Sequence, residues 1–517
     1  MADSTRPLNP TALALAAMLL ALVVAPLIAV AVRATGFVLA PADWAAVRFT
    51  VLQAALSAAA STLLAIPVAR ALARQQFPGR NALITLMGAP FLLPAVVAVL
   101  GLLAIFGRSG IVNDLGQIAG LPRLSVYGLQ GVVLAHVFLN MPLAVRMILQ
   151  GWQTIPAERF RLAASLGFGP AELWRHLERP MLQSVLPGAA LVIFVVCLTS
   201  FAVVLTLGGG PRATTVELAI YQAVRFDFDL GRAALLAGVQ FVICLAAAGI
   251  AFALARATGF GAGLDRMPVL PGPTGWRRGL LDAGAIAAAA LFLVLPLGAV
   301  IARGLPGLVQ LPVEVVGAAG RSMLVATVSA AITMTAALVM VVAVATQARG
   351  AAMIDAAALL PMAASGLVLG TGLFLIVQPF APPTMLALPV TILVNAALAL
   401  PFVYRLLLPE AQALVADYGR LADSLGLRGL ARWRWLILPR LARPLGFGAG
   451  IAAALSMGDL GVIALFAGER SATLPLLVQQ LIGAYRIEAA AGVALVLVML
   501  SFAMFWICDR GGRHAAS

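Results

Sequence analysis

The sequence predicts an all-α polytopic membrane protein with about twelve transmembrane helices in two parallel six-helix repeats. Three observations carry that class. Hydrophobic residues make up 62% of the 517-residue chain and charged residues only 10%, a balance that would aggregate in water. The apolar residues gather into twelve segments, each near the ~20 residues that cross a hydrocarbon core. A polar 22-residue stretch occurs twice, 259 positions apart, each time between long apolar segments.

In the first half the apolar segments run near 11–32, 50–73, 83–106, 128–150, 185–207 and 233–256. In the second they run near 282–302, 322–346, 354–378, 385–408, 445–467 and 487–508. No water satisfies the backbone at that depth, so each segment is expected as a helix. The alternating segments of roughly 10 residues that mark a β-barrel are not visible. The first run, Ala12 to Val32, exceeds the roughly 7–15 apolar residues of a secretory signal and is expected to be an uncleaved helix. Between the halves lies 256–281, rich in Gly, Pro and Arg, which reads as a linker. The expected organisation is a first half over 1–255, a cytoplasmic linker over 256–281 and a second half over 282–517. Six helices on each side of the linker put both repeats in one orientation, with a transport pathway expected between them.

All 34 Lys+Arg residues are Arg. Their placement argues against nucleic-acid binding. With a cytoplasmic N-terminus, most of the arginines fall in segments that would lie inside: Arg70, Arg74 and Arg80, the linker, Arg349, both repeated loops and the C-terminus. That is the positive-inside pattern, and it puts both repeated loops and both termini in the cytoplasm. Cys197, Cys244 and Cys508 lie in apolar segments without paired spacing, so neither a disulfide framework nor a zinc site is suggested. His136, His176 and His514 are scattered and lack the i,i+4 spacing of a helical metal pair. His136 is expected as a packed helix residue with a satisfied ring, and no metal site is expected.

The repeated stretch, 161–182 and 420–441, is identical at 11 of its 22 positions without a gap. Arg161, Leu162, Ala163, Ser165, Leu166 and Gly167 match Arg420, Leu421, Ala422, Ser424, Leu425 and Gly426. Further on, Trp174, Arg175, Leu177, Pro180 and Leu182 match Trp433, Arg434, Leu436, Pro439 and Leu441. A lipid-facing helix needs only to stay apolar, whereas a docking surface needs particular side chains. The apolar residues recur at helical spacing and are interrupted by glycines, which predicts helix, turn, helix. Such a hairpin suits insertion into a groove on a partner. An interfacial helix with its Arg residues on anionic lipid is the other reading of the same residues.

These loops resemble the EAA signature of permease subunits in ATP-binding-cassette importers. Gly167 and Gly426 occupy the signature's Gly, and Pro180 and Pro439 its terminal Pro. The leading acid is replaced by Arg161 and Arg420, so a salt bridge through that acid does not carry over. The runs 127–150, 207–223, 455–466 and 473–486, with the duplicated layout, look like the thiamine permeases, fused two-half members of that family. The resemblance implies a type I importer fold and coupling loops near 151–184 and 409–444. It also implies a dimer of cytoplasmic ATPases, an external solute-binding protein and a place in the bacterial inner membrane. The fused ferric-iron permeases share the two-half plan and stand as the alternative.

ATP hydrolysis at a P-loop needs GxxxxGK[ST], and a chain without Lys cannot carry it. The run Gly208-Gly209-Gly210 reads as a flexible turn. The chain is therefore expected to be no enzyme and to hold no cofactor, ATP being used by a partner subunit. A gradient-driven secondary transporter, from a different class, fits the parallel six-plus-six plan. For the pathway, Asp459 stands out as a carboxylate inside an apolar segment, flanked by Gly458 and Gly461, with Ser200 as its repeat partner. It would line a pathway for a cation or cap a broken helix. Asn140, Asn395 and Gln378 are weaker candidates, each suited to interhelical hydrogen bonding.

Overall fold

The computed structural model describes residues 10–34, 38–208, 210, 213–254, 276–346, 350–427, 429–468 and 471–516. Most of the linker, Gly209 of the glycine run, and Arg6, Arg212, Arg349 and Arg470 lie outside the described residues. Among the described residues the regular structure is helical throughout. In the first half the principal helices are α1 (Pro10–Arg33), α2 (Pro41–Arg74), α3 (Ala95–Phe106), α4 (Leu129–Gln153), α5 (Ala157–Ser165), α6 (Arg179–Leu198), α7 (Phe201–Leu207), α8 (Val216–Arg225) and α9 (Leu230–Leu254). In the second they are α10 (Trp276–Gly307), α11 (Glu314–Ala345), α12 (Ala351–Leu359), α13 (Gly366–Val377), α14 (Ala387–Ser424), α15 (Leu438–Met457), α16 (Gly461–Phe466), α17 (Leu474–Gly483) and α18 (Ile487–Ala516). Helix α10 starts at Trp276, inside the stretch read as linker.

Among the described residues eleven helices are long and apolar enough to cross a membrane, or twelve if a pair bent by 95° counts as one span. The protein is an all-α polytopic membrane protein. Its departures from smooth spans follow the chemistry of the chain. The bent pair turns between Ala363 and Gly366, where the Ser365 hydroxyl accepts the Val368 N–H at 3.1 Å and starts α13 afresh. The expected span 83–106 is interrupted before α3 at Pro94, which cannot donate a helical hydrogen bond. The expected spans 185–207 and 445–467 also break, at Thr199–Ser200 and at Gly458–Leu460.

By packing, the chain forms two compact units that interleave its sequence halves. One comprises 1–39, 216–245 and 307–517, and the other comprises 40–215 and 246–306. In the first unit α11, α14, α15 and α18 pack lengthwise around a core that includes Met340, Val341, Leu400, Val403, Tyr404 and Leu407. Helix α1 joins this unit against α13, where Gly372 lets the backbones meet. A Cβ there would lie 2.4 Å from the Pro26 carbonyl oxygen. Close approach through small residues is a common way for membrane helices to associate when lipid is as apolar as the core. In the second unit α2, α4 and α6 pack together. Helix α10 adds Phe292, edge-on to Phe138 at 5.8 Å, and Arg303, which donates to the Ala104 and Ser109 carbonyls at 3.3 Å.

Candidate functional site

Each repeated loop folds as helix, turn, helix, and the two copies close the first helix with the same bonds. In the first, α5 ends as the Phe168 N–H donates to the Ala163 carbonyl at 2.9 Å and the Gly167 N–H to Ala164 at 3.1 Å. In the second, α14 ends as Leu427 donates to Ala422 at 2.9 Å and Gly426 to Asp423 at 3.1 Å. This is a Schellman ending, which puts its penultimate residue in the left-handed region. Gly167 at φ 68° and Gly426 at φ 67° fill that position. The Ser165 and Ser424 hydroxyls donate to the Leu162 and Leu421 carbonyls, both at 2.8 Å.

After the turn each chain runs through one π-helical turn, Trp174–Glu178 and Trp433–Ile437. Pro180 and Pro439 follow in the first turn of α6 and α15. A proline removes a donor and crowds the carbonyl four residues back, and a widened turn accommodates both effects. The side chains divide by face. Ala163 and Ala422 are buried against their own units, whereas Leu162, Leu166, Leu421 and Leu425 are 55–66% exposed. Arg161 and Arg420 are exposed too. Each loop thus presents two leucines one helical turn apart beside an arginine.

The anchoring of the two loops differs. In the first, Glu178 is buried and meets Arg74 at 2.6 Å and Arg70 at 2.9 Å, while Arg70 also lies over the Trp174 ring at 4.9 Å. In the second, Ile437 stands where Glu178 does. The end of α11 offers Val342, Ala345 and Thr346, and these line a small cavity with Trp433 and Ile437.

The pathway candidates fall into two clusters, one in each unit, both at broken helices. Ser200 sits at the α6–α7 break, with its hydroxyl 2.7 Å from Nε2 of His136, whose Nδ1 lies 3.1 Å from the Ser57 hydroxyl. The His136 ring is satisfied on both sides. Gln53 donates to the Cys197 carbonyl at 2.9 Å, meeting one of the acceptors that the break leaves open. Asn140 donates to its own helix at the His136 carbonyl, 2.9 Å, and to Cys197 Sγ at 3.5 Å.

Asp459 sits at the α15–α16 break. Its carboxylate accepts the backbone N–H groups of Gly461, Val462 and Ile463, with a further bond from Asn395. Asn395 also donates to the Ser456 hydroxyl at 3.1 Å. Asp459 therefore caps α16, while its Oδ2 is buried without a partner. His136 and Asn395 are 259 positions apart, as are Ser200 and Asp459, so each unit clasps its broken helix from the same repeat position. The match of Ser200 with Asp459 is legible in the sequence, whereas that of His136 with Asn395 shows only through their contacts with those two residues. Gln378 lies exposed at the end of α13 rather than in an interhelical bond.

One functional candidate escaped the sequence reading. Glu217, near the start of the short helix α8, is 2% exposed. The Ser365 hydroxyl donates to its carboxylate, and Asp459 lies within electrostatic range. Burial, opposed by the Ser365 bond and reinforced by the Asp459 charge, pushes the Glu217 carboxyl up to about 8.

No family model matches the chain. Individual proteins do. It is 39% identical to the thiamine transport system permease protein ThiP of Brucella abortus (strain 2308) over 474 residues, covering 90% of this chain and 87% of the relative. It is 39% identical to ThiP of Salmonella typhimurium over 492 residues, covering 91% and 90%. Against ThiP of Escherichia coli (strain K12) the identity is 38% over 486 residues, covering 90% and 89%. The chain belongs to the thiamine transport system permease family. A partial likeness, 29% over 198 residues, reaches the molybdenum transport system permease protein ModB of Mycobacterium bovis. Membership makes the chain a multi-pass membrane permease, consistent with the eleven or twelve apolar spans among the described residues.

Proposed function

We propose that this chain is the membrane-spanning subunit of an ATP-driven importer for thiamine and its phosphate esters. The observation that carries the substrate is the likeness to thiamine permeases along nine-tenths of the chain. In this reading the protein lies in the bacterial inner membrane with both termini in the cytoplasm, as two permease halves, 1–255 and 282–517, joined by a cytoplasmic linker. Two cytoplasmic ATPase subunits bind it from inside, and a solute-binding protein delivers substrate from outside. The chain itself holds no cofactor and hydrolyses no ATP.

The duplicated hairpins serve as the coupling elements. Leu162, Leu166, Leu421 and Leu425 supply the apolar anchors, Arg161 and Arg420 the charge, and Ala163 and Ala422 fix each hairpin to its unit. Ser165, Ser424, Gly167 and Gly426 shape the turns, and Pro180 and Pro439 end them. ATP-driven closure of the ATPases would draw the hairpins together and switch the pathway from inward-facing to outward-facing. Asp459, Asn395, Ser200 and Asn140 belong to the pathway as the polar groups at its broken helices. The test is uptake of labelled thiamine by proteoliposomes that hold the permease and its ATPase, with the binding protein on the substrate side. Uptake that requires ATP on the ATPase side supports the proposal, and no uptake under those conditions refutes it.

A further inference from the structure

Glu217 and Asp459 come from opposite halves of the sequence yet lie in one compact unit, where α8 packs against α13 and α16 and Asp459 is in electrostatic range of Glu217. Asp459 enters from the α15–α16 break and Glu217 from the second residue of α8. Each holds an oxygen away from water. Glu217 is 2% exposed with Oε1 unpartnered, and Oδ2 of Asp459 is buried and unpartnered. Their remaining oxygens take hydrogen bonds from Ser365, Asn395 and the first amides of α16. The other titratable group in range of Glu217 is Cys244 on α9. Arg225, at the far end of α8, donates instead to the Ala467 carbonyl at 2.9 Å. Among the described residues no arginine or histidine enters the electrostatics of either carboxylate.

A buried carboxylate without a counter-charge is costly, and proteins normally pair it, protonate it or use it to hold a cation. The same chain pairs Glu178 with two arginines, so the missing partner here is specific to this place. The repeat positions reinforce the point. Asp459 corresponds to Ser200, and Glu217 corresponds to Pro475 when α8 is laid on α17. Charge has been placed at one of two equivalent breaks. Asp459 itself is half-buried, as are Gly458 and Gly461, so the Asp459 side of the pair reaches the surface of its unit where the helix is interrupted.

We infer that Glu217 and Asp459 together form a receptor for an organic monocation, with Asp459 oriented by the α16 amides and Glu217 by Ser365. This rests on the thiamine reading above, thiamine carrying a fixed positive charge on its thiazolium ring. The Asp459 charge lies in electrostatic range of Glu217, which is itself cut off from water, so with the site empty Glu217 keeps its proton. An arriving monocation replaces that proton, and the site holds a net charge of minus one before and after. Cation binding therefore releases a proton, and protons compete with substrate. The raised Glu217 carboxyl makes it the group that gives the proton up.

The test uses the purified full-length permease in lightly buffered detergent solution with a pH-indicating dye. Adding thiamine near neutral pH should release about one proton per thiamine bound. Binding without proton release contradicts the inference, as does equal release on adding sodium chloride at the same concentration. In proteoliposomes with the ATPase and binding protein, Glu217→Gln should lower thiamine uptake at limiting substrate ~10-fold and flatten its dependence on pH. Glu217→Asp should keep the pH dependence. Unchanged uptake and pH profile in Glu217→Gln overturn the pair while leaving the importer reading intact. An absence of ATP-dependent uptake in the unmodified protein overturns that reading itself.

Discussion

Glu178 and Glu217 are both buried acids, and they differ in what stands beside them. Glu178 faces Arg74 and Arg70. Removing one partner of such a pair strands a charge and destabilises by ~3–5 kcal/mol, whereas an apolar replacement of the whole pair is close to neutral. Glu178→Ala should therefore lower the thermal unfolding midpoint of the purified permease sharply. Glu178→Ile combined with Arg74→Thr, which copies the apolar character of the second repeat, should recover much of the loss. Among the described residues Glu217 has no such cation, and burial pushes its carboxyl up from the ordinary 4.5 to about 8. The folded protein then binds a proton that the unfolded chain releases. The sign follows: stability from this group is full below the unfolded value and is lost as pH rises through about 8. The unfolding midpoint should fall between mildly acidic and mildly alkaline pH, and Glu217→Gln should remove part of that slope. A slope unchanged in Glu217→Gln would show that other groups set it. Sequence reading singled out Asp459 because a carboxylate inside an apolar run is conspicuous. It missed Glu217, which lies in a polar stretch between spans and becomes buried only through contacts distant in sequence.

The hairpins owe their shape to two glycines and two prolines. Gly167 and Gly426 are left-handed, and a Cβ at either would meet nothing within 4 Å. A substitution there is opposed by the backbone alone, by about 1–2 kcal/mol. Leu at both positions should therefore leave insertion intact but distort the turns, so that co-purification with the ATPase and thiamine uptake both fall. Asn, which tolerates the left-handed region better, should do less harm. Full ATPase association and full uptake in the double Leu variant would contradict a docking role. The helix–turn–helix form was legible in the sequence because glycine and proline are local punctuation. The π-turns were not, since a widened turn depends on how the proline and the following helix share one carbonyl. The break within 445–467 was legible as one of two readings, because Asp459 between Gly458 and Gly461 suits a capped, broken helix. The break within 185–207 was not, because an apolar run that holds only Thr199 and Ser200 looks the same whether its helix is whole or broken.

At the scale of the whole chain, hydropathy located the eleven spans of the described residues, and the bent pair as a twelfth, because a bilayer demands length and apolarity and little else. It could not foresee the packing. Helix α1 belongs with α13 and α10 with Phe138, each joining the unit built mainly from the other half, and such pairings depend on side-chain fit that periodicity does not encode. The arginine asymmetry makes a prediction of its own. Single cysteines introduced near Arg175 and Arg432 should react with an impermeant thiol reagent only from the cytoplasmic side, and those near Arg212 and Arg470 only from outside, in a background lacking the native cysteines. The reverse pattern would show the orientation to be inverted. The central claim, that this permease moves thiamine by coupling to an ATPase through its duplicated hairpins, has one direct test. Labelled thiamine uptake is measured in proteoliposomes holding the permease, the ATPase and the binding protein, with and without ATP, for the unmodified chain and for Gly167→Leu with Gly426→Leu. The account predicts ATP-dependent accumulation by the unmodified protein and its loss in the double variant. Accumulation that needs no ATP, or that survives intact in the double variant, would contradict it.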